Sequence, residues 1–109
     1  MDKDVEKYIS LAEIAYKSGN TLRAVTYAQK AISAGANRSQ SVALKIFIAR
    51  CQSKTGNFNE SNRIYRTLLD EKNYLPPVIM GLLYNNFKTS GINTNKLSGN
   101  LGLIKLYVR

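Results

Sequence analysis

A tetrapeptide that recurs at a repeat-like interval constrains this chain more than any other feature. Lys17-Ser18-Gly19-Asn20 returns as Lys54-Thr55-Gly56-Asn57, with a weaker echo in Lys88-Thr89-Ser90-Gly91. Gly56 follows Gly19 by 37 residues, and Gly91 follows Gly56 by 35. Self-similarity at a fixed period of about 20–50 residues marks arrays whose units must stack to bury an apolar face. Ahead of each glycine the apolar residues keep helical spacing. They are Tyr8, Leu11, Ala12, Ala15 and Tyr16, then Leu44, Ile48, Ala49 and Cys51, then Met80, Leu83, Tyr84 and Phe87. A glycine just past a helix supplies the left-handed backbone that closes it, and a lysine in the last turn suits the negative end of the helix dipole. A second amphipathic segment follows the first glycine, carried by Leu22, Ala24, Val25, Tyr27, Ala28, Ala31 and Ile32. Another follows the second, carried by Ser61, Ile64, Tyr65, Leu68 and Leu69. Pro76 closes the next linker, and Pro77 suits the first turn of a helix, where a missing N–H costs nothing.

The pattern predicts an all-α chain with helices over 5–18, 21–35, 41–54, 58–71, 77–90 and 95–107. They pair into antiparallel hairpins of one domain, 1–109, with units near 5–38, 42–75 and 77–109. The last segment is ambiguous. Leu97, Leu101, Ile104 and Val108 have helical spacing, but Gly99 and Gly102 each weaken a helix by about 1 kcal/mol, and 101–108 also reads as a short strand. The chain's 109 residues are enough to build a core without disulfides, and its lone Cys51 permits none within the chain. Histidine is absent, so zinc chemistry and the commonest general base are not expected, and neither is a cofactor. The charged start, Met1-Asp2-Lys3-Asp4, lacks an apolar signal region, and no stretch reaches the length of a membrane span. The expected setting is intracellular, cytoplasmic or nuclear.

These residues resemble the tetratricopeptide repeat. With a first repeat starting at Val5, Tyr8, Leu11, Ala12, Gly19, Ala24 and Ala31 fall on the family's characteristic positions. A second starting at Val42 aligns Ile48, Ala49, Gly56, Phe58, Ser61 and Tyr65, and a third starting at Pro77 aligns Leu83, Phe87 and Gly91. Small residues let the two helices of a hairpin approach, while large ones fill the space between hairpins. Lys45 and Gln52 depart from the pattern, and the resemblance fades beyond Gly91. It implies a right-handed α-solenoid and a non-catalytic role, in which a concave groove holds a protein or peptide. Carried over residue by residue, that groove includes Ile9, Glu13, Tyr16, Lys17, Ile46, Arg50, Lys54, Asn85 and Lys88. The clamp by which some members hold acidic chaperone tails is not expected, because Ile9, Glu13, Phe47, Val78 and Leu82 occupy its positions.

Charge keeps a second reading open. The chain carries a net charge of +9, and residues 14–59 hold seven basic side chains and no acid. Such a stretch attracts anionic partners, so a basic nucleic-acid-binding protein is an alternative, although no nucleic-acid motif accompanies the charge. A secretion or assembly chaperone and a self-assembling structural protein are further alternatives. The apolar run containing Leu101, Ile104, Leu106 and Tyr107 points to self-association, as a homodimer or by stacking on a partner subunit.

Overall fold

The computed structural model describes residues 2–90 and, among them, shows five helices and no strand. They are α1 (Asp2–Lys17), α2 (Thr21–Ser33), α3 (Arg38–Lys54), α4 (Phe58–Asp70) and α5 (Pro76–Ser90). Each helix packs on the next, and α3 also meets α5. The expected sixth helix over 95–107 lies outside the described residues. So do Leu101, Ile104, Leu106 and Tyr107.

The recurrent tetrapeptide builds a complete turn from local chemistry. Gly19 and Gly56 take positive φ, 84° and 85°. This lets the Gly19 N–H reach the Tyr16 carbonyl (3.0 Å) and the Asn20 N–H reach the Ala15 carbonyl (2.9 Å), the paired bonds of a Schellman motif. Gly56 and Asn57 repeat the arrangement on the Ser53 and Gln52 carbonyls. Asn20 then caps the helix that follows, accepting from the Arg23 N–H at 3.1 Å. One asparagine thus closes α1 and opens α2. The end of α4 uses the same pair of bonds from Lys72 and Asn73, with Lys72 at φ 67°. A lysine here carries the steric cost that glycine avoids. Gly56→Ala should lower stability by about 1–2 kcal/mol. Nothing lies within 4 Å of the added Cβ, so the cost is purely conformational and a thermal melt should show it.

Three helix starts differ from expectation, the smallest difference being α5, which begins at Pro76 rather than 77. The α1 helix begins at Asp2 rather than 5, and α3 begins at Arg38 rather than 41. The cause at α3 is a capping box. Asn37 Oδ1 accepts from the Gln40 N–H at 2.8 Å, while Gln40 Oε1 accepts from the Asn37 N–H at 3.0 Å. At α5 both Pro76 and Pro77 lie in the first turn.

Small residues carry the tightest packing. Ala24, Ala28, Ala31 and Ala49 are fully buried, with Val25, Leu44, Ile48, Ile64, Leu68 and Tyr65 around them. Ser61 is buried as well, and its hydroxyl donates to the Ala49 carbonyl at 2.7 Å, joining α4 to α3. Leu22, expected on the core face of α2, is 79% exposed, because that face is formed by Ala24, Val25, Ala28 and Ala31.

The core face of α5 also differs from the expected row of Met80, Leu83, Tyr84 and Phe87. Leu83 is buried, but Met80, Tyr84 and Phe87 are about half exposed. Val78, Leu82 and Asn85 are fully buried instead. The ring of Tyr65, 1% exposed, lies against the backbone of Gly81, where any Cβ would overlap it. Seating that ring presents the 78–81–82–85 face to α3 and α4. Asn85 is the polar hub of the seam. Its Oδ1 accepts from the Ser53 hydroxyl at 2.6 Å, and its Nδ2 donates to Ser61 Oγ and Asn62 Oδ1, both at 2.9 Å.

Candidate functional site

Helices α1, α3 and α5 supply most of the wall of a cleft of ≈ 530 Å³. Tyr16 comes from α1, Arg50, Ser53 and Lys54 from α3, and Met80, Gly81 and Tyr84 from α5. The Tyr65 ring reaches through from α4 to form the floor beside Gly81. A smaller cleft of ≈ 200 Å³ runs between α1 and α3, lined by Ile9, Glu13 and Phe47 among others. A third, ≈ 520 Å³, lies between α3 and the segment before α5, with Val42, Ile46 and Leu75 in its wall. These last two meet at Ala43. Tyr16, from the first cleft, and Phe47, from the small one, have ring centroids 5.5 Å apart and join α1 to α3.

Of the groove residues expected from the sequence, Tyr16, Arg50 and Lys54 converge on the largest cleft. Ile9 and Glu13 line the small one, and Ile46 lines the third. Lys88 sits over the Tyr84 ring at 5.7 Å, on the side chain that forms one wall of the largest cleft. Lys17 is exposed but lines none of the three clefts. Asn85 requires correction: it is 0% exposed, and its amide is spent on Ser53, Ser61 and Asn62, so it holds the helices together and offers a partner nothing.

Sequence reasoning missed Tyr65, Met80 and Tyr84 as one lining. The helical spacing of Met80 and Tyr84 was legible, but it was assigned to the core. An unpaired large aromatic facing a glycine one helix later was the available signal.

The electrostatics of the cleft are one-sided. Among the described residues the one ion pair joins Glu60 to Arg63, away from it. That contact lowers the Glu60 carboxyl below its usual range, chiefly through the hydrogen bond from Arg63. Arg50 has no carboxylate partner among the described residues, and Lys54 directs its ammonium over the Tyr16 ring at 4.6 Å. Burial pushes the Tyr65 phenol above its ordinary range, against the pull of the Arg50 charge. Burial likewise raises the Cys51 thiol, against Lys54 and Arg50. A buried thiol with a raised pKa is a poor nucleophile. No cluster of three or more His, Cys, Asp or Glu side chains suited to a metal occurs among the described residues. None of the described helices is long and apolar enough to cross a membrane. Compared with known proteins, the chain matches no family model, no curated sequence and no solved structure.

Proposed function

We propose that this chain is a tetratricopeptide-type α-solenoid, a right-handed stack of helical hairpins that serves as a non-catalytic interaction module. Its partner is a protein segment laid along the face shared by α1, α3 and α5. One observation carries the reading: three clefts have α3 in their walls, and the largest combines tyrosine and methionine with arginine and lysine in its lining. Aromatic and arginine side chains around a partly apolar depression are the composition of binding hot spots. A non-catalytic role fits a chain without histidine whose single thiol is buried.

A photoreactive residue placed at Ile46 or Met80 should crosslink to protein in cells, while one at Leu22 or Arg66 on α2 or α4 should not. Equal labelling from all four positions would remove the groove. A second reading, nucleic-acid binding, draws on the acid-free stretch 14–59. Predominantly RNA adducts from the same positions, with affinity falling steeply in salt, would favour it instead.

A further inference from the structure

The largest of these clefts holds a hydroxyl that has no hydrogen-bond partner among the described residues. Tyr65 is 1% exposed, yet it lines the cleft, and its phenol oxygen makes no hydrogen bond among the described residues. The oxygen is not itself enclosed, so it is open to bond a ligand in the cleft. Gly81 is what brings it to the surface of the cleft: the phenol end of the ring lies over the glycine, where a side chain would stand. Arg50 lies close enough for its charge to act on that phenol, and it too lines the cleft. The donors in the lining include the Arg50 guanidinium and the Tyr65 hydroxyl, and no carboxylate lines the cleft.

We infer that Arg50 and the Tyr65 hydroxyl form a subsite for one aspartate or glutamate side chain of an acidic partner peptide. Tyr16, Met80 and Tyr84 take a neighbouring apolar side chain of the same peptide. The inference rests on the groove reading above. A carboxylate fits better than a phosphate because the Lys54 ammonium is already placed over the Tyr16 ring. The forked guanidinium and the Tyr65 hydroxyl together match the two oxygens of a carboxylate, whereas a phosphate monoester presents three and a higher charge. Lys54 contributes attraction at longer range. The cleft is complementary in charge to an acidic segment, since no acid occurs in the chain between Ile14 and Asn59.

The test titrates the isotopically labelled full chain with a blocked hexapeptide of alternating glutamate and phenylalanine, and separately with its glutamine-for-glutamate counterpart. NMR signals of the Arg50 side chain and the Tyr65 ring report on the subsite. The acidic peptide should shift both and bind at least about ten-fold more tightly than the amide peptide, as a hydrogen-bonded charge is worth. Tyr65→Phe keeps the ring packing and removes only the hydroxyl, so it should weaken the acidic peptide about ten-fold and leave the amide peptide unchanged. Arg50→Gln, at an exposed position, should do the same. Equal binding of the two peptides on this face, or no effect of Tyr65→Phe, would overturn the carboxylate subsite and leave the groove standing. Absence of shifts on α1, α3 and α5 with either peptide would overturn the subsite, and the crosslinking pattern then judges the groove separately. Tighter binding of an oligothymidylate at the same residues would overturn both.

Discussion

Gly81→Ala is expected to lower stability by about 1–3 kcal/mol, the cost of overpacking a filled site. In an open helix interior the same change raises stability by about 1 kcal/mol, so the sign itself is the prediction. Gly81 lies inside α5, and an ideal Cβ there would overlap the end of the Tyr65 ring. The ring cannot swing aside freely, because Tyr65 is 1% exposed and packed among the core residues of α3 and α4. Either α5 lifts from α4 or the ring leaves its rotamer, and both routes lose packing around Val78 and Leu82. For a domain of this size each kcal/mol corresponds to about 4–8 °C in melting temperature. The pairing is checked by a double-mutant cycle with Tyr65→Leu. In the shortened background, Gly81→Ala should cost much less or turn favourable. A melting temperature that rises in the wild-type background would show that α5 does not seat against Tyr65.

Asn85→Asp should be worse, by about 3 kcal/mol or more near pH 7. The native amide uses one acceptor and two donors: Oδ1 takes the Ser53 hydroxyl, and Nδ2 serves Ser61 and Asn62. A carboxylate keeps the first contact and turns the other two into oxygen facing oxygen. The Ser61 hydroxyl cannot rotate to help, since it already donates to the Ala49 carbonyl. Burial and the lost donors both raise the pKa of the new carboxyl above its unfolded value of about 3.9. The folded state then binds more protons than the unfolded state. The penalty is accordingly smallest below the unfolded pKa and grows as pH rises toward the folded one. Denaturant melts of wild type and variant at pH 3.5 and pH 7 should therefore converge at the lower pH, where a protonated carboxyl recovers one donor. A gap that stays constant between those values would place the residue 85 side chain in solvent. Asn85→Leu, with no charge to bury, should show the loss without the pH dependence.

The division between what was legible in the sequence and what was not follows the range of the interactions. The five described helices lie where periodicity and punctuation put them, within a few residues, because a helix end is decided by groups close in the chain. Gly19 and Asn20 close α1 through carbonyls three and five residues back, and the Asn37–Gln40 box that starts α3 spans three. That box was readable as Asn-Arg-Ser-Gln, and the later start expected for α3 overlooked it. Tyr16, Arg50 and Lys54, which the family resemblance implied for one surface, do share one cleft. The tertiary structure decided the rest. Asn85 looked like a groove residue by register, but Ser53 and Ser61, 32 and 24 residues away, make it the buried hub. The apolar row Met80, Tyr84 and Phe87 looked like a core stripe. A helix with apolar residues on several sides does not reveal by itself which side is buried. That choice falls to the neighbour that fits closest, and here the Tyr65 ring selects the side of α5 that has no side chain at Gly81.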